Sequence, residues 1–289
     1  MTNNKEVVKL ESINLKYDDD NLSANVFDSQ DSLKQPNTLY ILIVDDNEEL
    51  RNFLHESLSP YYNISDAEDG QTGLAKAKEE FPDLIISDVM MPGMDGIEFC
   101  RLVKEDIEIS HIPFLMLTAK DAQHARMEGM ESGADFYFAK PLSIDLLLLT
   151  IRNIFSQKQK LKERYLKDQH AGAKELVHSA KDKEFMDELL QIIELQLTNP
   201  DMDVDYICTK IGMSRTKLYQ KIKGITGQSI GEFVQTIRLK KAAYIMTHED
   251  VSITDVMYSV GIQTQSYFTK AFKKEFGKTP SRFLQELKK

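Results

Sequence analysis

Between residues 39 and 156, short apolar segments alternate with longer segments whose apolar side chains recur every three or four positions. Short segments that are apolar almost throughout are typical of strands buried on both faces of a sheet. They are LYILIV (39–44), YNIS (62–65), DLIIS (83–87), PFLML (113–117) and ADFYF (134–138). The pattern predicts five strands.

The amphipathic segments between these strands have the period of α-helices. They cover about 48–58, 70–80, 95–105 and 121–131, and a last one begins near Ser143. Strands that alternate with helices form parallel sheets with helices on both faces. The predicted fold class is therefore α/β, a doubly wound five-stranded parallel sheet, which binds ligands beyond the carboxyl ends of its strands.

The helix that begins near Ser143 is predicted to be long. Its apolar positions continue to about residue 167, at Leu147, Ile151, Ile154, Leu161 and Tyr165. Two interpretations stay open. The helix could pair with its copy in a second chain as a coiled coil, or it could be an ordinary last helix followed by a charged connector.

From Asp182 to the end, the pattern predicts an all-α domain. Ser214, Ser252 and Thr264 are suitable N-caps, and glycines at 212, 227, 261 and 277 mark turns. The predicted helices cover 182–197, 203–211, 214–223, 228–247, 252–259, 264–276 and 280–288.

Charge is distributed unevenly. Residues 190–289 hold 15 Lys and Arg against 10 Asp and Glu, a net charge of +5, whereas the other residues hold 21 against 36, a net charge of −15. This asymmetry predicts that only the C-terminal part binds a polyanion.

The remaining composition excludes several classes of protein. There is no apolar run of about 18 residues and no signal peptide, so we expect no membrane contact. Cys100 and Cys208 are expected to be small core residues in a reducing compartment, and the six histidines lack the spacing of a zinc site. Residues 1–38 are polar, which predicts a partly disordered leader.

Polar groups with linked chemistry stand at the predicted strand ends: Asp45 with Asp46, then Asp88, Thr118 and Lys140. A carboxylate can accept a phosphoryl group, and Mg²⁺ held by neighbouring carboxylates relieves the repulsion between the two anions. We assign Asp88 as the acceptor and predict a Mg²⁺ site. The predicted ligands are Asp45, Asp46, Asp88 and the backbone carbonyl of Met90. Lys140 and Thr118 would contact the phosphoryl oxygens.

The segments DDNEEL, SDVMMPGMDG, LTAK and AKP resemble, in this order, the receiver domain of bacterial response regulators, over about residues 38–158. The resemblance implies a flavodoxin-like fold, Mg²⁺, and phosphorylation of Asp88 by a histidine kinase. It also implies a switch in which Thr118 moves toward the phosphoryl group and Tyr137 follows. The surface formed by helix 121–131, the fifth strand and the helix from Ser143 would then change.

Simpler interpretations exist for each residue taken singly. A strand-terminal Asp can cap a helix, Thr118 can be an ordinary strand-end hydroxyl, Lys140 can shape a turn, and Tyr137 can be a core residue. Hydrolases similar to haloacid dehalogenase also form aspartyl phosphates, but their nucleophile ends the first strand and a second Asp follows two residues later. Here Met90 occupies that position. We therefore expect a phospho-acceptor with slow self-dephosphorylation rather than an enzyme.

Two helix-turn-helix patterns follow, at 204–227 and 252–280. Together they resemble the AraC-family DNA-binding domain over about residues 185–286, most clearly in GIQTQSYFTKAFKKEFGKTPSRF. The base-facing positions that the resemblance implies are Thr216, Tyr219, Gln220, Gln265, Ser266 and Lys270. The expected phosphate contacts are Arg215, Lys217, Lys221, Lys273 and Lys274. A helical bundle with a solvated basic face is the simpler interpretation of this part.

The combined prediction is a two-component transcription regulator. Its phosphorylation would control dimerisation and binding to double-stranded promoter DNA, with RNA polymerase as an open further partner. The expected domains are a leader (1–38), a receiver (39–158), a helical linker (159–184) and a DNA-binding domain (185–289).

A free-standing cytoplasmic regulator and the output half of a Bacteroidetes hybrid sensor both stay open. In the second case the kinase would belong to the same polypeptide and the chain would be tethered at the inner membrane. A phosphohydrolase and a receiver that serves only for dimerisation also stay open.

Overall fold

The structure is a computed structural model that describes residues 39–119, 133–167, 172–177, 179–200 and 202–287. The predicted leader and the predicted helix over 121–131 lie outside the described residues.

Five parallel strands form one sheet in the order β2-β1-β3-β4-β5. They are β1 (Tyr40–Val44), β2 (Asn63–Ala67), β3 (Leu84–Asp88), β4 (Phe114–Ala119) and β5 (Phe136–Lys140). The predicted doubly wound parallel sheet is thereby confirmed. The fifth strand lies two residues later than predicted, so that Lys140 ends the strand rather than following it.

Within the described residues, helices α1 to α3 belong to the sheet domain, α4 continues beyond it, and the others form the C-terminal part. They are α1 (Glu48–Leu58), α2 (Gly70–Glu80), α3 (Gly96–Glu105), α4 (Ile144–Lys167), α5 (Ala180–Leu195), α6 (Val204–Ile211), α7 (Arg215–Thr226), α8 (Ile230–His248), α9 (Ile253–Ser259), α10 (Gln265–Phe276) and α11 (Pro280–Leu287). A 3₁₀ turn, Ala173–Leu176, precedes α5. No helix in these ranges is long and apolar enough to cross a bilayer.

Hydrophobic packing explains the layers. The sheet separates two apolar clusters, and α4 covers one face with the buried side chains of Leu147, Ile151 and Ile154. Further along the same helix, Tyr165 is buried in the core of the C-terminal helices. Helix α4 therefore contributes to both hydrophobic cores.

Local signals set the ends of the C-terminal helices. The hydroxyls of Ser214 and Ser252 accept hydrogen bonds from backbone N–H groups three residues later, at 3.4 and 3.1 Å. Thr264 occupies the N-cap position of α10, as predicted, although its hydroxyl makes no capping hydrogen bond. The four turn glycines have φ between 72° and 77°, which glycine adopts without strain.

Candidate functional site: an acidic pocket and two recognition helices

Three carboxylates meet where neighbouring parallel strands end. Asp45 and Asp46 directly follow β1, and Asp88 is the last residue of β3. Val44 pairs with Ser87 across these strands, which brings the next residues of both strands to the same edge. Carboxylate oxygens of the three aspartates lie within 4.8 Å of one another. Repulsion within such a cluster favours binding of a cation.

Lys140 supplies one positive charge to this pocket. Its Nζ lies 3.0 Å from Asp88 Oδ1 and 3.4 Å from Asp45 Oδ2. Thr118 is buried in β4, the strand between β3 and β5, and pairs with Ala139, the neighbour of Lys140. The pocket thus combines a potential nucleophile, an ammonium group and a hydroxyl at adjacent strand ends.

Burial raises the pKa of Asp88 above its ordinary value. The hydrogen bond and charge of Lys140 oppose this shift, the charge of Asp45 adds to it, and the Val89 N–H at 2.9 Å from Oδ1 opposes it. Asp88 is therefore a partly desolvated carboxylate. Partial desolvation of this kind strengthens its electrostatic interactions with a metal ion.

The pocket fits a hard divalent cation. Acidic pockets of this composition supply the oxygen ligands that Mg²⁺ prefers, with water completing the octahedron. Asp45 is held in place because its Oδ1 accepts the Asn47 N–H at 2.9 Å, while the Arg51 guanidinium donates to its carbonyl at 2.6 Å. Asp46 is exposed and can turn toward an ion. The Met90 carbonyl as a ligand and the half-buried Tyr137 as a switch stay predictions.

The C-terminal helices form two helix-turn-helix units, α6 with α7 and α9 with α10. On α10, the predicted DNA-contacting side chains are all exposed: Gln265, Ser266, Lys270, Lys273 and Lys274. On α7, Thr216 and Tyr219 are exposed and Gln220 is half-buried. Arg215 is exposed and forms a two-pronged ion pair with Asp205 at 2.5 and 2.7 Å.

Comparison with known proteins identifies both parts. The family model "Response regulator receiver domain" matches residues 41–152, and the model "Helix-turn-helix domain" matches residues 207–286. Residues 41–152 form a response regulator receiver domain, and residues 207–286 form a helix-turn-helix domain of the AraC type. We call these two parts the receiver domain and the DNA-binding domain, and α7 and α10 the first and second recognition helices.

Several individual proteins are similar to this chain. Over 254 residues the chain is 38% identical to "Histidine kinase P4" of Formosa agariphila, and the match covers 88% of this chain and 18% of that protein. It is 40% identical to "Transcriptional regulatory protein ResD" of Bacillus subtilis over 42% of this chain and 49% of the relative. A putative response regulator structure from Chloroflexus aurantiacus is 33% identical, with a TM-score of 0.40, over 42% of this chain and 99% of that chain. The chain spans less than half the length of these two curated relatives.

Two predicted DNA contacts on the first recognition helix have other partners in this structure. Lys217 Nζ lies 2.7 Å from Glu108 Oε1 of the receiver domain. Lys221 is fully buried, and its Nζ contacts Asp182 Oδ1 at 2.7 Å and Ser110 Oγ at 3.0 Å. The prediction of Lys221 as a phosphate contact is wrong for this arrangement, because no solvent reaches its ammonium group.

The partners of these lysines could not be predicted from the sequence. Glu108, Ser110 and His111 follow α3 in the receiver domain, and Asp182 lies in the first turn of α5. No motif marks them, because Glu108 is 109 residues from Lys217 and Asp182 is 39 residues from Lys221, and contacts at such separations leave no periodic signal. Ser110 also donates to Asp182 at 2.7 Å, which links the two domains.

Gly96 provides a first test of the acidic pocket. A Cβ at this position would overlap the backbone carbonyl of Asp88, so Gly96→Ala should push the acceptor strand end aside. We expect the free energy of unfolding to fall by about 1–3 kcal/mol and phosphorylation to slow. Urea unfolding and acetyl-phosphate labelling measure the two effects.

The matched control is Gly231→Ala, where no atom lies within 4 Å of the added carbon. This variant should keep the unfolding free energy or raise it by up to about 1 kcal/mol, because alanine is the better helix former. Equal stability of the two variants would contradict the close approach at Gly96.

Proposed function

We propose that this chain is a phospho-accepting transcription regulator rather than an enzyme. A histidine kinase phosphorylates Asp88, and the modification changes how the two helix-turn-helix units bind promoter DNA. The observation that carries the proposal is the meeting of Asp45, Asp46, Asp88 and Lys140 in one pocket, on a chain with two recognition helices.

The chemistry follows from the geometry of the pocket. A carboxylate oxygen of Asp88 forms a bond to phosphorus while the phosphorus–nitrogen bond of the donor phosphohistidine breaks, and the imidazole keeps the electron pair. Lys140, already 3.0 Å from Asp88 Oδ1, neutralises one phosphoryl oxygen. The Thr118 hydroxyl donates a hydrogen bond to another.

Asp45, Asp46 and Asp88 would hold Mg²⁺, with the Met90 carbonyl as a further ligand. An ion held there would lower the repulsion between the carboxylate and the incoming phosphoryl group. Tyr137 lies on β5 three residues before Lys140, where it can follow Thr118 when the pocket is phosphorylated.

DNA contacts would come from both helix-turn-helix units. Two such units joined by the rigid α8 can place two recognition helices in successive major grooves. Dimerisation of the phosphorylated form would raise affinity further, because linked domains rebind at high effective concentration. RNA polymerase is a proposed additional partner of the DNA-bound form.

The kinase could act from another chain or from the same polypeptide. The match of 88% of this chain to part of a protein named a histidine kinase supports the second arrangement, and the resemblance to ResD supports the first. A DNA-binding regulator would act in the cytoplasm in both cases, tethered at the inner membrane in the hybrid arrangement.

Beryllofluoride, a mimic of the phosphoryl group, tests the proposal directly. With Mg²⁺, it should raise affinity for DNA selected from a random pool by roughly 10-fold or more, an allosteric coupling of about 1.4 kcal/mol. Gel-shift titration measures this change. Unaltered affinity would contradict phosphoryl control.

Acetyl phosphate separates the three candidate functions. A stable phosphorylated band on a phosphate-affinity gel supports the regulator, and continuous release of phosphate supports a phosphohydrolase. No incorporation supports a receiver that serves only for dimerisation.

A further inference from the structure

The first recognition helix packs on the receiver domain, against the segment that follows α3. Lys217, Lys221 and Gly224 stand at i, i+4 and i+7 of α7, which places them on one face of the helix. Receiver residues Glu108 and His111 lie against the ends of this stripe, with Ser110 between them. The second recognition helix, in contrast, keeps its predicted DNA contacts exposed.

The contact at Gly224 is close. A Cβ at this position would overlap the imidazole of His111, so only glycine allows the ring to lie on the helix. Burial lowers the pKa of His111 well below its ordinary value, and the surrounding lysines lower it further, so the ring is neutral when it packs here. This close packing fixes the distance between α7 and the receiver segment that follows α3.

The centre of the contact is a buried polar network. Lys221 Nζ bonds Asp182 and Ser110, and Ser110 bonds the same carboxylate oxygen. The ammonium group also lies 4.9 Å from the ring centroid of Phe185. Every polar group in this network has a partner, which favours a single docked arrangement.

The side of the helix that faces DNA is adjacent to this contact. At 3.6 residues per turn, Thr216 and Gln220 lie on the face next to the Lys217–Lys221 stripe. A recognition helix in the major groove needs positive side chains on its flanks for the phosphates. In the docked arrangement that flank carries the carboxylate of Glu108 instead.

We infer that Lys217 has two alternative partners: Glu108 of the receiver domain when the first recognition helix is docked, and a DNA phosphate when it is released. Lys221 keeps its buried pair with Asp182 of α5 in both arrangements. The docked protein binds DNA through its second recognition helix, and release adds the first. The inference rests on the proposed function for its signal, since phosphorylation would favour release. The contact itself does not depend on that signal.

The dependence of DNA affinity on salt tests the exchange of partners. Each released phosphate contact steepens the plot of log affinity against log salt by about 0.9. Gly224→Ala should undock the helix without weakening it, because alanine is the better helix former. For a mixed-sequence duplex and unphosphorylated protein, we expect the slope to steepen by about 0.9, an additional loss of affinity of ~3.5-fold between 50 and 200 mM salt.

Further substitutions assign the change to Lys217. Lys217→Gln should leave the salt dependence of the wild-type protein unchanged. In the Gly224→Ala protein, the same substitution should make the slope shallower by about 0.9. Lys273→Gln, on the exposed second recognition helix, is the matched control. It should make the slope shallower by about 0.9 both in the wild-type protein and in the Gly224→Ala protein. Glu108→Lys is a second undocking variant, made from the receiver side.

Hydrogen exchange of α7 and of residues 104–112 reports undocking independently of DNA. Faster exchange with an unchanged salt slope would overturn the inference, as would a slope effect of Lys217→Gln in the wild-type protein. Unchanged exchange in both undocking variants would overturn it too, because the interface would then not depend on the contacts described. If the slopes change as expected but beryllofluoride does not alter them, the exchange of partners stands and phosphoryl control fails.

Discussion

Asp88→Asn is expected to abolish phosphorylation by acetyl phosphate and the response of DNA binding to beryllofluoride. Asparagine keeps the size of the side chain and an oxygen that can accept the Val89 N–H, but its amide is no nucleophile toward phosphorus. Intact-protein mass spectrometry should show no added phosphoryl group, and gel-shift titrations with and without beryllofluoride should coincide.

The fold should survive this substitution. Burial and the charge of Asp45 both disfavour a charged Asp88, so a neutral amide removes these costs together with the Lys140 contact. Without Mg²⁺, we expect the unfolding free energy to change by less than about 1 kcal/mol. Loss of function therefore would not reflect unfolding.

Asp69→Asn is the matched control. Asp69 caps α2 by accepting the Thr72 N–H at 2.7 Å, and asparagine is an equally good cap. This variant should be phosphorylated like the wild-type protein. A phosphoryl group that persisted in Asp88→Asn would assign the chemistry to another residue.

Asp182→Ala is expected to be the most destabilising single substitution in the interface between the domains. It leaves the Lys221 ammonium buried without a counter-ion, and breaking one partner of a buried pair costs about 3–5 kcal/mol. Burial raises the pKa of Asp182, but Lys221 and hydrogen bonds from Ser110 and Ser179 outweigh burial and hold that pKa below its ordinary value. Burial lowers the pKa of Lys221, and the charge of Asp182 opposes that shift. The direction for Asp182 favours the ion pair at neutral pH. Urea unfolding at neutral pH measures the loss.

A second substitution shows whether charge or packing is responsible. Lys221→Met in the Asp182→Ala background replaces the stranded charge by an apolar side chain of similar length, and replacement of a whole buried pair is often nearly neutral. The double variant should regain most of the lost stability. If it stays as unstable as Asp182→Ala, the loss comes from packing and not from the charge.

Most of the sheet domain can be predicted from sequence because its signals are local. Strands buried on both faces, such as β1 and β3, are continuous apolar segments, and a polar residue at the end of such a strand is conspicuous. Asp45, Asp88 and Lys140 are therefore recognisable without any knowledge of their distances. The edge strand β5 begins two residues later than predicted, because its pairing with β4 begins at Phe136, after Ala134 and Asp135.

The wrong predictions concern residues whose surroundings come from distant parts of the chain. A lysine in a recognition helix resembles a DNA contact in sequence, and nothing near Lys221 shows that Asp182 and Ser110 enclose it. Lys217 as a phosphate contact stays a prediction, and the sequence likewise does not show that its partner Glu108 belongs to another domain. The helical period shows which residues share one face of a helix, but it does not show which residues pack against that face.

Because helix α4 contributes to both hydrophobic cores, its length between them limits which insertions and deletions the chain can accept. One uninterrupted rod carries Ile154 in the receiver core and Tyr165 in the core of the DNA-binding domain, where its ring lies 6.5 Å from that of Phe233. Inserting a single residue between them would twist Tyr165 by about 100° about the rod axis, whereas seven would nearly restore its azimuth. We therefore expect insertions and deletions in this segment to be tolerated best when their length is close to a whole number of helical turns. Only these lengths keep Tyr165 facing the core of the DNA-binding domain.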